Sequence, residues 1–137
     1  MKNSEAGLSL SELRRLQNRV SGTQIAVFGD FCLDASWLLA ETGQERSLET
    51  GLPVQVVEQQ RYAPGGAGNI AANLSALGVA RIYTVGILGT DIYARALRNE
   101  LELDGVIQDH LHDQSVGFQT PVYGKRILQG KEVERID

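Results

Sequence analysis

A glycine-rich segment that ends in an amide side chain is the first part of this sequence that could do chemistry. Gly65, Gly66 and Gly68 surround Ala67, and Asn69 follows them. Glycine lets a backbone approach a ligand closely, and an asparagine side chain offers both an acceptor and donors. A helical pattern follows at once, so free N–H groups at its start could bind hydroxyls, carboxylates or phosphates. The alternative is a tight turn in which Asn69 caps the helix.

Two carboxylates form a second candidate group. Asp30 and Asp34 follow the short apolar run 25–28, and Cys32 lies between them. Open α/β sheets bind ligands beyond the carboxyl ends of their strands, and a carboxylate there can accept hydrogen bonds from two neighbouring hydroxyls of a polyol. The alternative is that Asp30 caps a turn and Asp34 is solvated. Cys32 has no obvious basic partner, which predicts a small buried residue and not a nucleophile.

Two further groups of polar residues favour structural roles. Asp91 follows a strand and suits the first turn of a helix, where a carboxylate complements the helix dipole. His110 and His112 would share one face of a strand, but a set of four ligands is not evident in the sequence. We therefore predict a helix cap at Asp91 and no metal site.

The elements that must position these groups alternate between helix and strand. Ser9 and Glu12 form a capping-box pair at the start of a predicted amphipathic helix over 9–20. Apolar runs predict buried strands, and small or apolar residues at helical spacing predict helices between them: strands at 25–28, 81–86 and 106–111, helices at 70–77 and from 91 to about 103. This alternation indicates an α/β fold with a parallel sheet and flanking helices.

Two segments do not fit that layer. Residues 36–60 predict two half-exposed strands separated by a polar stretch, and 118–136 predicts two strands joined around Gln129 and Gly130. We expect both segments to form a small β appendage. No linker composition divides the chain, which predicts a single domain over 1–137.

Composition excludes several classes of protein. The chain has 137 residues, 42% of them hydrophobic, and a net charge of −4. A net negative charge does not favour binding to nucleic acid. No apolar run approaches the roughly 18 residues of a membrane span. Residues 1–5 lead into a charged helix and not an apolar leader. A single cysteine rules out an internal disulfide, so a cytoplasmic protein is expected.

The ordered set of motifs resembles the N-terminal part of the ribokinase-like, or PfkB, carbohydrate kinases. The resemblance rests on 29–34, on 65–69 with the helix after it, on 85–91 and on 105–106. The segment 135–137, Arg-Ile-Asp, resembles the end of the family's lid hairpin. Within the family the chain is most similar to the heptose-phosphate kinase branch, through Gly-Asp-x-x-Leu-Asp at 29–34 and Ser-x-Glu at 47–49 before a Pro-Val pair.

The resemblance implies a kinase that transfers the γ-phosphoryl group of ATP, with Mg²⁺, to a hydroxyl of a sugar or sugar phosphate. In the family an aspartate at the position of Asp34 holds sugar hydroxyls, and residues matching Gly65, Gly66 and Asn69 line the same pocket. Asp30 is a further candidate substrate-binding residue. The strands at about 36–60 and 118–136 would form a lid that closes over the sugar and excludes water.

The family's Gly-Ala-Gly-Asp motif, which supplies the catalytic base and the anion hole, does not occur in this sequence. The resemblance therefore implies an apparently truncated kinase domain with no catalytic residue of its own. We expect the chain to hold the sugar-binding half of the enzyme, to bind no ATP or Mg²⁺ alone and to phosphorylate nothing alone.

Three other interpretations of the protein's function stay open at this point. Gly66, Gly68 and Ala71 match the dinucleotide fingerprint in form, with Asp91 about twenty residues on, which would indicate a Rossmann domain. A non-catalytic sugar-binding module is the second, and it could form a homodimer through the exposed edges of its lid strands. The third is an incomplete fragment with no function of its own.

Overall fold

The computed structural model describes residues 7–41 and 45–137. The predictions about 1–5 and about the part of the first lid segment at 42–44 lie outside these ranges. Within them the elements follow in the order α1 (Leu10–Val20), β1 (Gln24–Phe28), β2 (Phe31–Leu39), β3 (Val57–Gly66), α2 (Ala67–Ala76), β4 (Arg81–Leu88), α3 (Ile92–Leu103), β5 (Ile107–Asp113), β6 (Val122–Leu128) and β7 (Lys131–Ile136). In the described ranges no helix has the length and apolar character needed to cross a membrane.

A three-stranded parallel sheet in the order β1-β4-β5 forms the base of the molecule. Helices α2 and α3 pack against it, and their apolar residues join those of the strands in one core of buried residues that includes Val27, Ile82, Leu88, Ala71, Leu97 and Leu101. The other face of the sheet is open, and the side chain of Phe28 is 83% exposed there. The predicted α/β fold with a parallel sheet is confirmed.

A second sheet of four strands, in the order β3-β2-β6-β7, stands beside the first, and we call it the lid sheet. Strands β2 and β3 are antiparallel, as are β6 and β7, whereas β2 and β6 run parallel. It unites the two segments that the sequence analysis set apart from the parallel sheet. The first residues of β2 also belong to the core, because Phe31 and Leu33 are almost fully buried.

The bounds of the lid strands differ from those expected. The strand predicted at 36–40 begins at Phe31, and the one predicted at 53–58 runs from Val57 to Gly66. Gly65 and Gly66 therefore end a strand, where a loop was predicted, and the helix after them starts at Ala67. These two strands pair with each other along their whole length, from Phe31 opposite Gly66 to Leu39 opposite Val57, and this pairing sets the bounds of both.

Helix caps account for two of the predicted helix starts. Ser9 and Glu12 form the predicted capping box at α1, with Ser9 as the N-cap. The apolar face of α1 contributes nothing to the core, since none of its residues is buried. Asp91 is the N-cap of α3, as expected.

Candidate sugar-binding site

The carboxylate of Asp34 lies over Gly65, on one face of the lid sheet. Cys32 pairs with Gly65 and Asp34 pairs with Ala63 in the antiparallel β2–β3 ladder. A Cβ atom on Gly65 would lie 3.2 Å from Oδ1 of Asp34 and 2.7 Å from Sγ of Cys32. A side chain at position 65 would collide with the Cys32 sulfur and crowd the Asp34 carboxylate, so glycine allows both side chains to lie against this strand.

Gly66 makes the turn from the lid sheet into α2. Its φ of 52° lies in the region that favours glycine, and a Cβ on it would lie 2.5 Å from the carbonyl oxygen of Asp30. The N–H of Ala67 donates to that same carbonyl oxygen at 2.9 Å. The structure thus joins Asp30 to the glycine segment through its backbone, while its side chain is exposed to solvent.

Asn69 lies in the first turn of α2 and is exposed. It is not the cap of that helix: the N-cap is Gly66, and no side chain caps α2. The amide nitrogen of Asn73 donates to the Asn69 backbone carbonyl at 2.8 Å and to Asn69 Oδ1 at 3.2 Å. Asn73 thereby fixes the Asn69 side chain at the end of the helix that faces the glycine segment.

Lys125 is a site residue that the sequence analysis missed. Its Nζ atom lies 3.4 Å from Oδ2 of Asp34, with the two side chains 28% and 35% exposed. The parallel pairing of β2 with β6 aligns Lys125 with Ser36, two residues from Asp34 and on the same face. Only the pairing between distant segments brings this lysine to Asp34, so no local pattern in the sequence could have shown it.

The Asp34 carboxylate keeps most of its hydrogen-bonding capacity. Among the residues that the structure describes, Lys125 is the one side chain hydrogen-bonded to it, at the long distance of 3.4 Å. An ionised carboxylate offers about four acceptor positions, and a part-exposed ion pair contributes only about 0–1 kcal/mol. Asp34 can therefore accept hydrogen bonds from a ligand without losing a strong internal partner.

Cys32 lies on the same face of the lid sheet as Asp34, with its sulfur packed against Gly65 and Gly66, and it is buried. Burial raises the pKa of its thiol, and the negative charges of Asp34 and Asp30 raise it further. A thiol held in its protonated form is a poor nucleophile. The structure agrees with the expectation that Cys32 is a packing residue.

Neither a metal site nor a dinucleotide site forms among these residues. In ranges 7–41 and 45–137 there is no group of three or more histidine, cysteine or acidic side chains that could hold a metal ion. The glycine segment follows β3, which pairs antiparallel in the lid sheet and is not a strand of the parallel sheet, so the parallel βαβ unit that a dinucleotide fingerprint needs is missing.

The parallel sheet, its helices and the lid sheet that carries Asp34 define an α/β domain of the ribokinase-like kind. The chain belongs to the pfkB family of carbohydrate kinases, whose family model matches residues 23–122. This confirms the resemblance read from the sequence.

Relatives of known name cover much of this chain but are far longer than it. The bifunctional protein HldE of Nitrosococcus oceani is 41% identical over 86 residues, which are 63% of this chain and 18% of that protein. The bifunctional protein HldE of Pseudomonas syringae pv. tomato is 40% identical over 121 residues, 87% of this chain and 24% of the relative. The chain thus spans about a fifth of the length of these relatives.

Solved structures show the same fold at low sequence identity. A ribokinase of Arabidopsis thaliana complexed with ribose and ATP matches with a TM-score of 0.63 and 18% identity, over 84% of this chain and 35% of the ribokinase. A fructokinase of Xylella fastidiosa with bound ATP matches with a TM-score of 0.56 and 21% identity, over 85% of this chain and 33% of that enzyme. The domain described here corresponds to about a third of these kinase folds.

Proposed function

We propose that this chain is the sugar-binding part of an ATP-dependent carbohydrate kinase, with a sugar or sugar phosphate held by Asp34, Gly65, Gly66 and Asn69 and with Asp30 beside them. The observation that carries this proposal is the position of the Asp34 carboxylate directly over Gly65. Asp34 has one long internal hydrogen bond, so a ligand that binds its free acceptor positions would lie next to the glycine segment and the start of α2.

Each group has a distinct part in binding. Asp34 accepts hydrogen bonds from two neighbouring sugar hydroxyls. The first turn of α2 has no side-chain cap, and in the described ranges only the Ala67 N–H is bonded to the Asp30 carbonyl oxygen, so the N–H groups after it are offered to a ligand oxygen. The Asn69 amide offers both a donor and an acceptor. Lys125 keeps the Asp34 carboxylate turned toward this face of the lid sheet.

The lid sheet can cover a bound sugar because it is anchored at one end only. Leu33, at the start of β2, is fully buried in the core, whereas residues 57–60 of β3, which pair with the other end of β2, are exposed. The anchored end carries Asp34, and the free end extends beyond it. Movement of the free end over the sugar would exclude water and favour transfer to the sugar hydroxyl over transfer to water.

Phosphoryl transfer requires parts of the kinase fold beyond those found here. The base-bearing Gly-Ala-Gly-Asp motif does not occur in the sequence, and we assign the ATP site, Mg²⁺ and the catalytic base of the complete enzyme to its other parts. We therefore propose that the 137-residue chain alone is inactive. Sugar-dependent ADP formation by the purified chain would contradict this.

A second candidate function is a sugar-binding module that dimerises through its lid. Strands β3 and β7 are the edges of the lid sheet, and their exposed backbones could pair with another copy. Sedimentation at several concentrations would show a dimer; a monomer throughout would exclude this candidate. We expect either form to act in the cytoplasm, because the sole cysteine is a buried free thiol.

The sugar site is tested by a titration that locates the ligand. ¹⁵N-labelled chain is titrated with D-ribose, D-fructose and a heptose phosphate while backbone amide shifts are recorded. We expect saturable shifts at Asp34, Gly65, Gly66 and Asn69 with at least one of these ligands. Shifts confined to β5, on the far edge of the parallel sheet, would contradict the proposed site.

A further inference from the structure

The chain between β5 and β6 is tied to the core at one buried residue. Residues 114–121 form no helix or strand, and within them Thr120 is only 4% exposed. Val122, two residues later, begins β6, the lid strand that carries Lys125. The place where Thr120 is held therefore sets where β6 begins.

Asp91 and Gly89 hold Thr120 from both sides. Oδ2 of Asp91 accepts a hydrogen bond from the backbone N–H of Thr120 at 2.8 Å, and the N–H of Gly89 donates to Oγ1 of Thr120 at 2.9 Å. A Cβ on Gly89 would lie 2.9 Å from the Thr120 nitrogen, so this approach requires glycine. The two bonds fix both the backbone and the side chain of Thr120.

The same Asp91 carboxylate caps α3 through its other oxygen. Oδ1 accepts from the N–H groups of Tyr93 at 2.9 Å and Ala94 at 2.8 Å. One side chain thus binds the start of a core helix and the entry to a lid strand at once. The capping bonds need only Oδ1, so the bond to Thr120 is a separate contribution.

A short path of contacts leads from Thr120 to the sugar-binding carboxylate. The residue after Thr120 is Pro121, whose carbonyl oxygen accepts from the N–H of Leu33 at 2.9 Å. Leu33 precedes Asp34, and Asp34 is aligned with Tyr123 in the parallel β2–β6 pairing. The position of Thr120 therefore affects how β6 pairs with β2, the two strands that carry Lys125 and Asp34.

We propose that Asp91 and Thr120 form a latch that sets the position of β6 against β2 and so orients Asp34 toward its sugar. Both are positioning residues, since neither belongs to the proposed sugar-contacting set. The effect on sugar affinity rests on the proposed function, whereas the effect on the lid strands does not. Loss of the latch loosens the start of β6 while the core helix and the parallel sheet stay formed.

The variant Asp91→Ser separates the latch from the helix cap. Serine is a good N-cap residue, so α3 keeps its cap, but its side chain is too short to reach Thr120 as well. A second pair avoids position 91 altogether: Thr120→Val removes the acceptor for Gly89, and the matched control Thr120→Ser retains it.

Hydrogen exchange of the whole chain tests the latch without any ligand. In Asp91→Ser and in Thr120→Val we expect exchange at Leu33 and at the β6 amides to rise about tenfold, with α3 and β4 amides within about twofold of the wild type. Thr120→Ser should exchange like the wild type. Equal acceleration in α3 and β6 would show that Asp91 is only a cap, and unchanged exchange in β6 would show that no latch exists.

Sugar affinity tests the second half of the proposal. For a sugar that the wild type binds, we expect the dissociation constant to rise about three- to tenfold in Asp91→Ser and Thr120→Val, and to be restored in Thr120→Ser. Faster exchange in the lid strands with unchanged affinity would overturn the link to Asp34. A wild type that binds none of the sugars would overturn the proposed function and leave the exchange result standing.

Discussion

Oδ1 of Asp34 stands 3.2 Å from the point that a Cβ atom on Gly65 would occupy. The two residues lie 31 positions apart in sequence and meet because β2 and β3 pair antiparallel, with Cys32 opposite Gly65. The Asp34 carboxylate and the backbone of Gly65 are therefore in direct contact. A substitution at either position should therefore change the conformation at the other.

The variant Gly65→Ala is expected to lose both stability and sugar binding. The added methyl group would lie 2.7 Å from the Cys32 sulfur, so the buried thiol or the strand must move. We expect a loss of about 1–3 kcal/mol in the free energy of unfolding, as for other overpacked sites. Urea unfolding measures it. Gly22→Ala is the matched control, because its Cβ would meet nothing closer than 3.7 Å; an equal loss in both variants would contradict the close approach.

The sole tryptophan offers a local probe of the lid sheet. A Cβ on Gly124 would lie 2.6 Å from the Trp37 ring, which shows that the ring covers this glycine. In Gly124→Ala the ring must shift toward solvent, so we expect a red shift of the tryptophan emission and a less stable lid. Because Trp37 is the chain's one tryptophan, fluorescence reports this site alone. Unchanged emission would show that the ring does not pack on Gly124.

The elements of the parallel sheet could be predicted because each follows local physical rules. The apolar runs in β1 and β4 lie in a sheet with a buried face, and Ser9 and Asp91 make the caps that their side chains favour. These features depend on residues close together in sequence.

The lid strands could not be bounded from the sequence because their patterns are not typical of strands. Residues 31–33 are buried on both faces, so they show no alternation. Strand β3 is polar, contains Pro64 and ends in two glycines, a composition typical of loops that an edge strand tolerates. Lys125 reaches Asp34 through the pairing of distant strands, which no local pattern encodes.

Acid should weaken the latch at Asp91. Although burial alone raises the pKa of Asp91, hydrogen bonds from Thr120, Ala94 and Tyr93 outweigh it and hold this pKa below its ordinary value of 3.8. The resulting stabilisation is complete above pH 3.8, the value in the unfolded chain, and is lost as the pH falls through the lower native value. We expect Asp91→Asn to be less stable than the wild type at pH 7 and the difference to shrink below pH 3.8. Urea unfolding at several pH values measures it; a difference independent of pH would contradict the lowered pKa.

The ion pair of Lys125 with Asp34 should contribute little to folding. Its atoms are 3.4 Å apart and both side chains are part exposed, so Lys125→Met is expected to change the free energy of unfolding by less than about 1 kcal/mol. Chemical denaturation with and without added salt measures this. A loss well above that value would show that Asp34 is an internal structural partner and not a group free to bind a ligand.

The most direct test of the sugar site compares the affinities of three forms of the chain. Calorimetric titration with the sugar or sugar phosphate that the wild type binds should show at least about a tenfold weaker affinity for Asp34→Asn, since the amide cannot accept from hydroxyls on both sides. Asp109→Asn, an exposed acid on β5, should bind like the wild type. Equal affinity of Asp34→Asn and the wild type, or no saturable binding by the wild type, would contradict the proposed role of Asp34.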